Sequence, residues 1–302
     1  MAEVGFIGCG TIGGPMALRL LDMGHALRVF DIDQHALTAQ RAAGAGIASS
    51  VADLARACET VLLSLPGPAQ IEPLVLGDEG LLAQAGVLRT IVDLSTNDLA
   101  LNRRLAERAA ADGIAYLDAP VSGGKQAARE GRLAIMVGGE RNAFETVRGL
   151  LECLAEHVFY RGPAGSGTLT KLINNQVFLC ASILVQEGFV MGARAGMDHT
   201  DLLEVLMASS AAPFVARAPL TLSRRFDLGV FALDIAAKDV ALALDSAGAL
   251  GAAMPLTEAA HGIYQQALAR GLGKEDFYAT LKVLEDAADV TLPALRKPAR
   301  PA

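Results

Sequence analysis

No metal cluster, disulfide frame or internal repeat is visible in this sequence. Its four cysteines, Cys9, Cys58, Cys153 and Cys180, stand far apart without a Cys-x-x-Cys pair. They read as reduced core thiols of a cytoplasmic protein, and neither as a disulfide set nor as zinc ligands. The histidines (His25, His35, His157, His199, His261) fall in no catalytic or ligating group. Positive charge is also short: 26 Lys and Arg against 33 Asp and Glu give a formal net charge of −7. That balance argues against a general nucleic-acid or membrane-surface binder. Tryptophan is absent, but at 52% hydrophobic and 20% charged residues the composition is otherwise that of a soluble globular protein. Met1-Ala2-Glu3-Val4-Gly5-Phe6 enters an apolar run directly, with no basic segment ahead of a signal-like stretch. A chain of 302 residues has room for two domains, each with its own core.

What is present is a change of pattern along the chain. Up to residue 161, short apolar runs alternate with helical segments. The runs at 4–7, 27–30, 60–65, 90–94, 114–118, 133–137 and 157–160 read as strands. Amphipathic segments at 15–23, 98–111 and 143–154 read as helices. Such alternation predicts a mainly parallel, doubly wound α/β sheet. After Gly167 no run reads as a strand, and everything to about residue 290 reads as helix. Gly162-Pro163-Ala164-Gly165-Ser166-Gly167 supplies loop chemistry between the two patterns. The expected organisation is an α/β domain over 1–164, an all-helical domain over 165–291 and a loose, proline- and arginine-rich tail over 292–302. A long helix from Thr168 joins the domains. Asn174, Asn175, Gln176, Ser182, Gln186 and Glu187 interrupt its apolar run, which favours a buried helix over a membrane span.

Gly8-Cys9-Gly10-Thr11-Ile12-Gly13 follows the first strand and opens a helix. A GxGxxG alone is a weak signal. Here it sits at the first strand–helix turn, a second strand follows at βαβ length, and that strand ends in Asp31. The glycines permit a tight turn and a close approach of a pyrophosphate to the helix N-terminus. Asp31 would accept hydrogen bonds from the adenosine ribose and repel a 2′-phosphate; Ile32, Asp33 and Gln34 add no basic group beside it. The pattern favours NAD over NADP.

Two further stretches carry polar chemistry. Asp118-Ala119-Pro120-Val121-Ser122-Gly123-Gly124 leaves a strand with a hydroxyl and two glycines, which suits a small nest for a carboxylate. A plain loop before a helix at 126–130 explains it equally well. In Gly165-Ser166-Gly167-Thr168-Leu169-Thr170-Lys171-Leu172-Ile173-Asn174-Asn175, a lysine stands in the expected first turn of a nearly uncharged helix. The positive end of the helix dipole disfavours a cation there. Lys171 and Asn175 are four apart and share one helix face. A lysine reaching out to solvent is the ordinary explanation. A base whose neutral form is favoured by burial and by the dipole is the other.

Together these stretches resemble the β-hydroxyacid dehydrogenase family, which includes 3-hydroxyisobutyrate dehydrogenase and tartronate semialdehyde reductase. The resemblance extends over nearly the whole chain. It also takes in Asp93-Leu94-Ser95-Thr96, Gly131-Arg132-Leu133-Ala134-Ile135-Met136-Val137-Gly138-Gly139 and Phe231-Ala232-Leu233-Asp234-Ile235-Ala236-Ala237-Lys238-Asp239. It implies an N-terminal Rossmann domain, a C-terminal all-α domain and a long connecting helix. It implies Lys171 as catalytic acid/base, Ser122, Gly123 and Gly124 as the carboxylate loop, and Asn175 as the residue that orients the substrate. Gly8, Gly10, Thr11, Ile12, Gly13, Asp31, Leu65, Pro66, Thr96, Phe231, Lys238 and Asp239 match cofactor-side positions. Lys238 also has an ordinary explanation, a surface pair with Asp234 four residues earlier.

The sequence departs from the family at several places, among them a variable cofactor-side loop that contains Pro68 and Ala69. Ile12 replaces a frequent Met, Asp98-Leu99-Ala100 stands where a proline usually follows the Ser-Thr pair, and residues 209–227 match no particular member. The expected activity is hydride transfer between NAD and a small β-hydroxyacid, with 3-hydroxyisobutyrate leading, without a metal. Tartronate semialdehyde reductase and L-threonate dehydrogenase are alternatives within the class. A silent dinucleotide-binding scaffold is the alternative outside it, disfavoured because Lys171, Asn175, Ser122 and Lys238 are all present. A largely apolar long helix must bury more than one stripe, so a homodimer or homotetramer through the helical domain is expected.

Overall fold

The computed structural model describes residues 3–295. It forms two compact units, one running to Leu172 and one starting at Ile173. The division falls inside the long helix, a little beyond the expected boundary, because the first helical turns pack with the α/β unit.

In chain order the first unit contains β1 (Val4–Ile7), α1 (Gly13–Asp22), β2 (Leu27–Phe30), α2 (Thr38–Ala42), β3 (Gly46–Ile47), α3 (Val51–Ala57), β4 (Thr60–Leu63), α4 (Pro68–Leu76), β5 (Thr90–Asp93), α5 (Leu99–Ala111), β6 (Ala115–Asp118), β7 (Val121–Ser122), α6 (Gly124–Glu130), β8 (Leu133–Gly138), α7 (Arg141–Glu152) and β9 (Ala155–Gly162). The sheet order is β3-β2-β1-β4-β5-β6-β8-β7, with β9 also paired to β8. β1 through β6 are parallel, and the chain after β6 turns back so that β6 and β7 run antiparallel to β8. Phe6, Leu62, Val92 and Leu117 fill one core of this unit, while Ile7, Val61, Leu63 and Ile91 belong to another. Strands covered on both faces need such continuous apolar runs.

Every expected strand is found, with ends shifted by a residue or two at most at most sites. β3 and β7 are additional; at two residues each they are too short to leave a hydrophobic pattern. Asp98, standing where the family usually has proline, starts α5 in another way: its carboxylate accepts from the Leu101 amide at 2.7 Å as an N-cap. Cys9 and Cys58 are buried as expected of core thiols, whereas Cys153 and Cys180 are only partly covered.

α8 (Ser166–Arg194) is one continuous helix of 29 residues, about 43 Å long at 1.5 Å per residue. By length and composition it could cross a membrane, and only 33% of its most apolar window is buried within the chain, less than for the buried helix expected from the sequence. Two of the polar residues that interrupt it beyond Ile173, Gln176 and Gln186, have partners elsewhere in the second unit. Gln176 donates to Thr257 Oγ1 at 2.9 Å, and Gln186 accepts from Thr280 Oγ1 at 2.9 Å. The second unit continues with α9 (His199–Met207), α10 (Ala212–Val215), α11 (Ala218–Leu222), α12 (Leu233–Leu250), α13 (Pro255–Ala269) and α14 (Thr280–Ala287). No strand is assigned there among the described residues. Leu179, Phe189, Leu233, Tyr264 and Phe277 are buried in its core.

The stretch 209–227, unread from sequence, forms α10, α11 and a turn at Arg224, whose φ of +57° is unusual for a side-chain-bearing residue. Arg224 grips the buried Glu285 of α14 with both terminal nitrogens, at 2.5 and 3.1 Å. The same carboxylate accepts from the Leu292 amide at 2.7 Å, and the Leu295 amide donates to the Leu222 carbonyl at 2.9 Å. Residues 292–295 are therefore held against the helices, although they were expected to begin the loose tail; 296–302 lie outside the described residues.

Candidate active site

In the first unit the expected cofactor residues stand at the C-terminal ends of four neighbouring parallel strands. The glycine loop follows β1, Asp31 follows β2, Leu65 and Pro66 follow β4, and Thr96 follows β5. The chain leaves β1 for β2 on one side, and β4 lies on the other. That reversal is where doubly wound sheets form a ligand crevice.

Within the loop the glycines are needed for different reasons. Gly8 has φ +89°, and a Cβ there would lie 2.2 Å from the Ser64 carbonyl oxygen. A Cβ on Gly13 would come 1.9 Å from the Gly8 oxygen. Gly10 is exposed, and its Cβ would meet no protein atom within 4 Å. The α1 start has no side-chain cap and no acidic residue in its first turn. First-turn amides without a side-chain acceptor suit an anion, so this loop fits a pyrophosphate. Ile12 is the N-cap residue and packs against the core, a role that its volume shares with Met. Asp31 Oδ2 accepts from the Cys9 amide at 2.7 Å and Oδ1 from the Asp33 amide at 2.8 Å. Burial, reinforced by the charge of Asp31, pushes the Cys9 thiol up to about 12, so it stays protonated.

Ser122 lies on β7, opposite Ala134 of β8. Gly123 and Gly124 follow with φ of +140° and +79°, and α6 begins at Gly124. Two successive positive-φ residues at a strand–helix turn make the conformation specific to glycine, which a plain loop would not require.

Lys171 is 7% exposed. A solvent-reaching lysine does not fit that burial. The helix begins earlier than the sequence suggested, at Ser166, so Lys171 stands five residues in, on the second turn. The dipole weakens within the first turn. Of the two features read from the sequence, burial is therefore the one that the structure retains in full.

The start of α8 is fixed by residues that sequence reasoning did not assign. Asp118, fully buried at the end of β6, accepts from the Gly165 amide at 2.8 Å and the Thr168 amide at 2.7 Å. Burial raises its pKa to about 6, against the pull of those hydrogen bonds. Asn102 of α5 donates to the Thr168 hydroxyl. Asn102 Oδ1 in turn accepts from Asn97 Nδ2 at 2.6 Å and from the Tyr116 hydroxyl at 3.1 Å. Asn97 and Tyr116 also donate to Asp93 Oδ2, at 3.2 and 2.8 Å. Burial raises the Asp93 pKa as well. One cue was available in the sequence: Asn102 occupies the Leu99, Leu105, Ala109 face of an amphipathic helix, a core position filled by an amide.

In the second unit, Asn175 is buried and its Nδ2 donates to Asp239 Oδ2 at 2.6 Å. Lys238 Nζ lies 2.7 Å from the other Asp239 oxygen, an ion pair. Asp234 is paired with Lys274 at 2.8 Å. The structure thus joins Asn175, Lys238 and Asp239 directly. Phe231 is partly buried against the core of this unit: its ring and that of Phe178 both stand edge-on to Phe277, at 5.8 and 5.3 Å. Its amide donates to Asp276 at 2.9 Å. Among the described residues no group of three or more His, Cys, Asp or Glu could hold a metal ion.

Residues 3–162 match the model of the NAD binding domain of 6-phosphogluconate dehydrogenase. Residues 165–284 match that of the NAD-binding domain of NADP-dependent 3-hydroxyisobutyrate dehydrogenase. The chain is 34% identical to an NAD-dependent L-serine dehydrogenase of Pseudomonas aeruginosa over 94% of its own length and 98% of the relative's. It is 35% identical to a 3-hydroxyisobutyrate dehydrogenase of the same organism, covering 87% and 91%. A solved Mycobacterium tuberculosis 3-hydroxyisobutyrate dehydrogenase with L-serine superposes with a TM-score of 0.85 at 29% identity, over 94% of this chain and 99% of that one. The chain belongs to the β-hydroxyacid dehydrogenase family. It is an NAD-dependent oxidoreductase of the hydroxyacid class.

Proposed function

We propose that this enzyme oxidises a small β-hydroxyacid, 3-hydroxyisobutyrate first, with Lys171 as the general base and its protonated form as the acid in reverse. The observation that carries the assignment is a lysine only 7% exposed in a helix whose start is fixed by Asp118 and Asn102. NAD, when bound, accepts the hydride from the carbon that bears the hydroxyl. Gly8, Gly10, Thr11, Ile12 and Gly13 would hold its pyrophosphate, Asp31 its adenosine ribose, and Leu65, Pro66, Thr96, Phe231, Lys238 and Asp239 its other contacts.

The Ser122 hydroxyl and the Gly123 and Gly124 turn hold the substrate carboxylate. Lys171 Nζ takes the β-hydroxyl proton. Asn175 orients the substrate, and Asp239 fixes the amide, because its Oδ2 takes the Asn175 Nδ2 donor and would repel the amide oxygen. Anchoring the carboxylate turns proton removal into a positioned, near-unimolecular step.

L-serine, itself a β-hydroxyacid, is the second reading. It is favoured by the serine dehydrogenase relative and by the serine named with the Mycobacterium tuberculosis structure. The unit from Ile173 onward serves as substrate and oligomerisation domain in a cytoplasmic homodimer or homotetramer. Following NADH absorbance over a panel with 3-hydroxyisobutyrate, L-serine, L-threonate and tartronate semialdehyde tests the substrate. In that assay Lys171→Ala should abolish turnover while NADH binding persists; a variant with near-normal kcat would sink the assignment.

A further inference from the structure

A buried chain of polar side chains runs across the first unit. The Leu65 amide donates to Ser95 Oγ at 2.9 Å, and the Ser95 amide to Asp93 Oδ1 at 3.0 Å. Asn97 Nδ2 reaches both Asp93 and Asn102, and Asn102 Nδ2 reaches Thr168 Oγ1. Ser95, Asp93, Asn97, Asn102 and Thr168 are each at most 5% exposed. The chain begins in the loops after β4 and β5 and ends three residues before Lys171.

Apolar residues of similar shape could fill this space at little cost to stability, because removing both members of a buried hydrogen bond together is nearly neutral. What an apolar filling would not give is a single geometry. A fully satisfied buried network specifies one arrangement of the elements it joins. The elements joined are two loops at the cofactor end of the sheet and the helical turn before Lys171. Thr168 and Lys171 are neighbours at i,i+3 on one helix face, so a shift of the Thr168 turn is passed to the lysine.

We propose that Asn102 and Thr168 are positioning residues. They lock the Lys171 turn to the loops containing Leu65 and Ser95, and thereby set the lysine's placement for proton transfer. The proposal rests on Lys171 being the acid/base. Neither residue is expected to touch substrate or NAD.

Thr168→Val keeps the side-chain shape and removes the acceptor for Asn102, while Thr168→Ser keeps the hydroxyl. In full-length enzyme on its best hydroxyacid, Thr168→Val should lower kcat about 10- to 100-fold while substrate KM and NADH Kd stay within about threefold. The primary deuterium isotope effect on kcat should rise toward its intrinsic value, and Thr168→Ser should behave nearly as wild type. A purely structural role would instead lower the melting temperature and active fraction without moving the isotope effect, and that outcome overturns the proposal. So does a folded Thr168→Val with unchanged kcat. If Thr168→Val does not fold, Asn97→Ser interrupts the same chain one link further off and carries the same expectation; unchanged kcat there overturns it too. Lys171→Ala in parallel separates the two readings. If wild type turns over, Lys171→Ala is dead and Thr168→Val is normal, only the positioning role fails; a Lys171→Ala variant that turns over removes the basis of both.

Discussion

Asp31 is partly committed before any ligand is considered, since each carboxylate oxygen accepts one backbone N–H, from Asp33 or Cys9. Each oxygen retains acceptor capacity, so the group can fix the glycine loop and still receive ribose hydroxyls. Asp31→Ala removes both functions. It should weaken NAD by roughly 10- to 100-fold, the equivalent of about 1.5–3 kcal/mol for hydrogen bonds to a charged acceptor. NADP should lose less, because repulsion of its 2′-phosphate goes too. Titration of NADH emission reads this against a chain that contains no tryptophan. A wild type that prefers NADP would show that the residue has been misread. Asp31 was legible in sequence because its markers, the glycine loop and a strand end, lie within one βαβ unit. Asp118 was not: its amide partners are 47 and 50 residues away, and nothing local distinguishes it from any strand-end carboxylate.

α8 shows the same limit at the scale of an element. Its existence, apolar character and approximate span were readable from periodicity, but its first residue was not, and that start decides how strongly the dipole acts on Lys171. The Asp118 carboxylate takes two of the amides at that end, which places an anion where the dipole favours one. Its pKa, ordinarily 3.8, is raised to about 6. With the folded value above the unfolded one, the native state holds the extra proton between those two values. The contribution to stability is full below about pH 3.8 and is lost as pH rises through about 6. Asp118→Asn cannot titrate, so the difference in unfolding free energy between wild type and variant should shrink between about pH 4 and pH 6. Above that range the variant should still be less stable by about 1–3 kcal/mol, since an amide cannot accept both N–H groups as the carboxylate does. Urea melts at several pH values check this; parallel stability curves for the two proteins would show that Asp118 does not titrate in that window.

For the whole molecule, the consequential feature of α8 is an apolar face that its own chain leaves uncovered. Beyond Ile173 (55% exposed) it presents Val177, Leu184 and Met191 at 54%, 69% and 73% exposure, the last three spaced by sevens. A heptad spacing keeps one stripe in line along a helix, the pattern by which helices pair. Contiguous apolar surface of this kind marks an interaction site. The order of motifs made the α/β unit and the helical unit legible, and the excess apolar character of α8 suggested an uncovered face. Which residues form that face depended on how the second unit covers the rest of the helix, information carried by contacts far apart in sequence. A second copy laying its own α8 on this stripe is the arrangement we propose. Light scattering should then give twice or four times the chain mass of 31.3 kDa. Leu184→Lys places a charge at the middle of the stripe, on a side chain that makes little core contact, so it should fold normally while the mass falls toward that of one chain. Wild-type protein at single-chain mass at assay concentration would rule the arrangement out, and an unchanged mass in Leu184→Lys would move the interface away from this face.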